Sequence, residues 1–170
     1  MMTIYIISGV LFLSYIVLVI FCVYTVYAII WGAPFVPSAL GTVKKMVEMA
    51  DLHANDMLMD LGSGDGRILK KAAPHVRFAV GIEINPLLYF WSKTRLAKYK
   101  NIKVLRANLW KVDLKDVDIL TIFFIAHHMG ALKQKIKKEM KPGSRVVSYG
   151  FSFPDWQYAK KDAKVYLYIV

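Results

Sequence analysis

Charge is missing from the start of this 170-residue chain: no Lys, Arg, Asp or Glu occurs before Lys44. All 23 basic and 12 acidic side chains, which give a formal net charge of +11, lie in the remainder. The two parts therefore have to be read separately. Thiols are nearly absent as well. The single cysteine, Cys22, sits in the uncharged stretch, which leaves the rest of the chain without a disulfide, a cysteine zinc site or a thiol nucleophile. The glycines of the run at 62–66 are flanked by Asp60 and Asp65, and the run is not closed by Lys-Ser or Lys-Thr, which argues against the phosphate cradle of a P-loop. Internal repeats and low-complexity segments are also lacking.

The uncharged stretch does contain an almost continuous apolar run over residues 4–31. As a helix rising about 1.5 Å per residue it spans roughly 40 Å, more than the ~30 Å hydrocarbon core of a bilayer. A single transmembrane helix is expected. Tyr24, Tyr27 and Trp31 fall close to one helical face near its end, where amphipathic rings sit among lipid headgroups. Lys44 and Lys45 come soon after, and no basic residue precedes the run. That asymmetry predicts a single-pass anchor with the C-terminal domain in the cytoplasm. A cleaved signal peptide fits worse, because it wants a basic start and an apolar region of about 7–15 residues, and so does the buried core helix of a soluble protein, which is rarely uncharged for so long. The expected organisation is an anchor over 1–33, a connector and leading helix over 34–55, and a folded domain over 56–170. Lys133, Lys135, Lys137, Lys138 and Lys141 crowd one short region. Anionic lipid headgroups are the simplest partner for such a face; a solvated surface or nucleic acid are the alternatives.

After the apolar run, Pro34 and Pro37 forbid a regular helix and make a stiff connector. Val43, Met46, Val47 and Ala50 then recur at helical spacing. Beyond them, short apolar runs alternate with amphipathic segments, the pattern of a doubly wound, mostly parallel α/β sheet. Strands are expected over 57–61, 78–84, 102–106, 118–125, 145–151 and 165–170. Helices are expected over 67–73, 86–98 and 129–140, with Pro86 pre-set for a helix start and Pro142-Gly143 for a stop.

The strongest motif is Asp60-Leu61-Gly62-Ser63-Gly64-Asp65-Gly66-Arg67, placed where the first strand turns into a helix. Glycines there let the backbone approach a ligand closely. Glu83 stands at the end of the second strand, where an acid can accept hydrogen bonds from two ribose hydroxyls. Phosphates are repelled by carboxylates, and Asp60 and Asp65 flank this loop. The third glycine also comes one place too early for the dinucleotide spacing. A ligand with a ribose, an ammonium group and a sulfonium, but no phosphate, suits the acids: S-adenosyl-L-methionine.

These motifs, together with Pro34-Phe35-Val36-Pro37, Glu83-Ile84-Asn85-Pro86, Leu109-Trp110-Lys111 and Phe153-Pro154-Asp155-Trp156, resemble the class I methyltransferases. Within them the similarity is to a membrane-associated protein-lysine methyltransferase group whose members modify the c-subunit of mitochondrial ATP synthase and the adenine nucleotide translocase. The resemblance implies a Rossmann-like domain and cofactor contacts from Asp60, Gly62, Ser63, Gly64, Asp65, Gly66, Glu83, Asn85, Asn108, Leu109 and Trp110. It also implies a protein lysine as acceptor. Asn108 stands where such enzymes usually carry an acid facing the adenine amino group; an asparagine carbonyl can still accept that bond.

Methyl transfer from a sulfonium needs mainly proximity and alignment, so few catalytic side chains are expected. His127, His128 and Tyr149 lie at strand ends and are the weak candidates for a base. Phe35, Pro37, Pro154 and Trp156 are candidate walls of a lysine channel, with Trp110 beside them, and plain aromatic packing is the rival reading. No metal is expected, since adjacent histidines cannot easily face one ion and no carboxylate has ligand spacing. A methyltransferase for a lipid, quinone or other small molecule, one for nucleic acid, and a non-catalytic cofactor-binding module remain alternatives.

Overall fold

The computed structural model describes residues 1–31 and 38–170. Phe35 and Pro37, two of the expected channel residues, lie outside the described residues, as does the side chain of Trp31.

The apolar run forms one helix, α1 (Met2–Trp31), of 30 residues. Its segment Met2–Tyr27 is long and apolar enough to cross a membrane, judged by length and composition. A short second helix, α2 (Leu40–Met49), buries Val43, Met46, Val47 and Met49, the three- and four-residue spacing of a single helical face.

The sheet comes next. Its strands are β1 (Met57–Leu61), β2 (Phe78–Glu83), β3 (Ile102–Arg106), β4 (Ile119–Phe123), β5 (Arg145–Tyr149), β6 (Lys160–Asp162) and β7 (Val165–Ile169), in the spatial order β3-β2-β1-β4-β5-β7-β6. The first five are mutually parallel, β7 runs antiparallel to β5, and β6 antiparallel to β7. The connecting helices are α3 (Arg67–Ala72), α4 (Pro86–Leu96) and α5 (Met129–Glu139). Strand order reverses between β1 and β4. Crevices for ligands in open α/β sheets lie at such a switch point, beyond the carboxyl ends of the strands.

Alternation along each strand sends side chains into two cores. Leu58, Ala79, Ile119, Val147 and Val165 face α2, α3 and α4, and α2 contributes Val43, Met46 and Val47 to that same cluster. Met59, Leu61, Val80, Leu120, Ile122, Val146 and Tyr168 face the other side with Leu132 and Ile136 of α5.

Six of the seven strands stand where apolar runs predict them, with ends one to two residues shorter in several cases. β6 is the unexpected strand: its three residues Lys-Lys-Asp are all exposed, so no apolar alternation announces it. Several lysines of the cluster meet protein groups. Lys135 bonds both carboxylate oxygens of Glu139 at 2.8 Å and the Val112 carbonyl at 2.7 Å. Lys133 bonds the carbonyls of Pro154 and Asp155, Lys137 sits 4.2 Å from the Trp156 ring centre, and Lys141 is 3.5 Å from Asp116. Lys133 and Lys135 thus tie α5 to its neighbours, while Lys137, Lys138 and Lys141 stay exposed.

Candidate active site at the carboxyl rim of the sheet

The glycine loop between β1 and α3 is shaped by three left-handed residues: Gly62, Gly64 and Gly66 have φ of 80°, 54° and 75°. Only glycine adopts such angles without a penalty. The amides of Gly62 and Ser63 both donate to the Ile82 carbonyl, at 2.9 and 3.0 Å, and pin the loop to the end of β2. A side chain at Gly62 would meet nothing within 4 Å, so open space lies there. At Gly66 a Cβ would lie 2.4 Å from Leu96 Cδ1; this glycine lets the start of α3 press against α4. Gly81 plays a similar part unforeseen from the motif. A Cβ there would fall 2.6 Å from Ser63 Oγ and 2.5 Å from Leu69 Cδ1.

Glu83 points into the loop. Its Oε2 accepts the Gly64 amide hydrogen and its Oε1 the Asn85 amide hydrogen, each at 2.8 Å. Burial raises its carboxyl above the ordinary value, and the backbone donors of Asn85, Gly64 and Ile84 oppose that rise. Asn85 then caps α4, its Oδ1 accepting from the amides of Leu87 and Leu88 at 2.9 and 3.3 Å. The turn after β3, Leu109–Lys111, is capped the same way by Asn108, whose Oδ1 accepts from the Trp110 amide at 2.9 Å.

The two loop aspartates have opposite environments. Asp60 is buried in β1 in register with Thr121 of β4, whose hydroxyl donates to its Oδ1 at 2.8 Å. Burial, reinforced by the charges of Glu83 and Asp65 and opposed by the Thr121 bond, lifts its pKa to about 7. Burial would raise Asp65 as well, but two hydrogen-bonded guanidinium groups hold it below the usual carboxylate value. Arg67 Nε and Arg95 Nη1 each lie 2.8 Å from its oxygens. Asp65 is thus not a free negative charge facing the loop's ligand side, as its place in the motif suggested; arginines on α3 and α4 claim it. Arg67 also bonds the Ser38 carbonyl and ties the connector to the loop. Arg67 ends the glycine motif itself, two positions from Asp65, whereas Arg95 was not legible as a site residue because its pairing spans 30 residues. The buried hydroxyl of Ser63 sits against Gly81 and finds no hydrogen-bond partner among the described residues.

Further along the rim, Trp110 packs edge-on against Phe124 and His128, and those two are tilted against each other, with ring centres 5.6 to 5.9 Å apart. His127 stacks on His128 at 3.9 Å and stays exposed, while Tyr149 lies 4.9 Å from Phe123 at the end of β5. Leu109 packs against the α5-side core. Trp156 sits elsewhere. It stacks on Phe153 and Tyr168 at 5.1 and 4.9 Å beneath Lys137, and Pro154 is exposed beside it. For Trp156 the packing alternative describes what is seen, because its ring covers Phe153 and Tyr168 on the α5 side of the sheet.

Taken together, the rim holds a buried carboxyl pair, a left-handed backbone cradle and open space at Gly62. Such a set binds hydroxyls and cationic groups and repels phosphate.

Comparison with known proteins accords with that chemistry. Residues 60–160 match the family described as the ANTKMT methyltransferase domain. A protein-lysine N-methyltransferase of Saccharolobus islandicus (strain REY15A) is 33% identical over 150 residues, covering 81% of this chain and 93% of the relative. The ATP synthase c-subunit lysine N-methyltransferase of Rattus norvegicus is 36% identical over 126 residues; the match covers 72% of this chain and only 58% of that longer protein. Among solved structures, an RNA methyltransferase from Salinibacter ruber in complex with S-adenosyl-L-homocysteine superposes with a TM-score of 0.74 at 29% identity, covering 79% of this chain and 93% of that one. The chain belongs to the ANTKMT methyltransferase domain family, and S-adenosyl-L-methionine is its cofactor.

Proposed function

We propose that this methyltransferase modifies the ε-amino group of a lysine in a protein lying in, or on, the membrane that holds its N-terminal helix. The observation that carries the reading is the combination of two features in one chain. One is the match along 93% of a protein-lysine N-methyltransferase; the other is an uncharged helix able to cross a bilayer. The charge asymmetry around that helix supports a catalytic domain on the cytoplasmic side.

In this reading Glu83 accepts the ribose hydroxyls, the backbone of Gly62, Ser63, Gly64 and Gly66 lines the loop side, and Asp60 faces the cationic amino-acid end. Asn85 holds the start of α4 behind Glu83. Asn108, Leu109 and Trp110 flank the base. Asp65 acts at one remove, by fixing Arg67 and Arg95 around the loop.

When bound, the cofactor supplies a methyl group already activated on a sulfonium. The chain's own task is alignment and the exclusion of water. An acceptor lysine must arrive neutral, which costs about 4 to 5 kcal/mol at pH 7 from an ordinary pKa near 10.4. The apolar ring cluster of Trp110, Phe124 and His128 offsets part of this by desolvating the amine. His127, exposed at the same rim, is the better placed of the histidines to receive the proton; His128 is a wall. Tyr149 is set back against Phe123.

The test is to incubate the protein with radiolabelled cofactor and membranes from its own source, then to locate label by gel and mass spectrometry. Label on lysine in a protein band is expected. Label extracted into organic solvent would replace this reading with a lipid or quinone acceptor. One observation favours a second reading, methylation of RNA: the likeness to the Salinibacter ruber RNA methyltransferase. Label in RNA, with binding that weakens steeply as salt rises, would establish it instead.

A further inference from the structure

The N-terminal helix is longer than a membrane requires. Its 30 residues rise about 45 Å, against a hydrocarbon core of about 30 Å, so roughly ten residues emerge. Residues 1–20 are all exposed, and Phe21, Tyr24 and Thr25 are the first partly covered side chains. Contact with the domain thus begins where the helix would leave the bilayer. Arg106, the last residue of β3, donates from Nη2 to Tyr24 Oη at 3.0 Å, and its guanidinium lies 5.8 Å from the centre of that ring.

Helix and domain border an open cleft of about 480 Å³, with Val23, Tyr24 and Tyr27 on one side and Ile84, Arg106, Ala107 and Asn108 on the other. Apart from Arg106, the domain residues are the first beyond β2 and β3. Ile84 follows Glu83 directly, and the Ala107 amide donates to the Glu83 carbonyl at 3.2 Å. This space therefore begins one residue past the acid assigned to the ribose.

We propose that the last turns of α1 form the outer wall of the nucleoside end of the cofactor pocket, with the adenine held between Tyr24 and Tyr27 of the membrane helix and Ile84 and Asn108 of the rim. The inference rests on the assignment of Glu83 to the ribose made above. In a nucleoside, the group next to the ribose is the base, and a base asks for flat rings, an apolar face and an amide. The cleft supplies each of these. Arg106 does not turn it into a phosphate site, since its guanidinium is engaged with the Tyr24 hydroxyl and ring. As a consequence, cofactor affinity depends on the seating of the helix, and the carboxyl rim of the sheet lies at headgroup depth, where a lysine near a membrane surface can reach it.

The experiment uses the full chain in lipid nanodiscs and measures calorimetric affinity for S-adenosylhomocysteine and for methylthioadenosine, which share the 5′-thioadenosine part but not the amino-acid end. Tyr24→Ala and Tyr27→Ala are expected to weaken both ligands by the same factor, about tenfold for loss of a base-stacking ring. Tyr24→Phe keeps the ring, deletes the hydroxyl that Arg106 bonds, and should weaken both by only a few-fold. Glu83→Ala serves as the reference. If it abolishes binding while both tyrosine variants bind normally, the helix is no part of the pocket and this inference alone falls. If Glu83→Ala binds normally, the assignment beneath it falls. Loss confined to S-adenosylhomocysteine would put the tyrosines at the amino-acid end and overturn the placement. Should the alanine variants fail to fold, photolabelling of the unaltered chain with an azidoadenosine analogue of S-adenosylhomocysteine decides the matter. Label on the peptide holding Tyr24 and Tyr27 is expected; label on domain peptides alone refutes the wall.

Discussion

Glu83 and Gly64 are joined across the rim of the sheet, the carboxylate Oε2 accepting the glycine amide hydrogen at 2.8 Å over a separation of 19 residues. With Asn85 on Oε1, both oxygens already serve backbone donors. Glu83→Gln is therefore not conservative, because its NH₂ must face one of two N–H groups that need an acceptor. A buried donor left unpaired costs about 1 to 3 kcal/mol. The expected outcome is a lower thermal midpoint together with at least tenfold weaker cofactor binding, read by calorimetry. Binding within twofold of the unaltered enzyme would contradict the role given to this carboxylate.

Asp60 predicts a pH dependence. Its pKa in the fold, about 7, lies above the ordinary value of 3.8, so the folded protein holds this proton more tightly than the unfolded chain. Stability should decline as pH climbs from about 4 to about 7, by roughly 4 kcal/mol at 1.36 kcal/mol per unit, and then level off. Glu83 is raised as well and adds in the same direction. Asp65 is lowered and acts oppositely, its stabilisation being lost only as pH falls below the ordinary carboxylate value. Thermal unfolding of the ligand-free protein across this range should show the decline, and Asp60→Asn should flatten it. Cofactor binding should run the other way. A cationic ligand favours the ionised carboxyl, so affinity rises and protons are released as pH approaches about 7. Flat affinity from about pH 5.5 to 7.5 would separate Asp60 from the ligand.

Asn108 uses its carbonyl to cap the turn that carries Trp110. Aspartate keeps that cap and adds a charged acceptor, and charge-assisted hydrogen bonds are roughly twice as strong as neutral ones. Asn108→Asp should tighten binding of S-adenosylhomocysteine several-fold. Unchanged or weaker binding would mean that this position does not meet the base.

Two loop glycines should respond differently to a methyl group. At Gly62, with φ of 80° and no atom within 4 Å, alanine adds only backbone strain, about 1 to 2 kcal/mol. At Gly66 the same strain is joined by a 2.4 Å approach to Leu96 Cδ1. Gly66→Ala should depress the thermal midpoint clearly more than Gly62→Ala, whereas the latter should lose more cofactor affinity per degree of melting. The reverse order in both measurements would mean that the open side of the loop is not where the ligand lies.

The helix predicts partition behaviour. The chain should pellet with membranes and stay there at high salt, because an apolar span is held by burial and not by screened charge. Release by salt alone would indicate surface association.

Much of this architecture is legible in the order of residues because the signals are local. Apolar runs of β1, β2, β4 and β5 are buried on both faces, and Pro86 and Pro142-Gly143 mark helix limits within a turn of where they occur. β6 was not legible, since a three-residue exposed strand owes its existence to pairing with β7 and not to its own side chains. Gly81 carried no motif either; its need arises only from Ser63 and Leu69 pressing on β2.

The residues alone determined the uncharged helix, the alternation of strands and helices, and the glycine turn with an acid at the next strand end, since each is written within a window of one element. Tertiary structure decided which partners the charges meet. Thr121 reaches Asp60 across 61 residues, Arg95 claims Asp65 across 30, and Arg106 finds Tyr24 across 82. Strand register and helix docking set those meetings, and no periodicity along the chain encodes a distance between elements that touch only after folding.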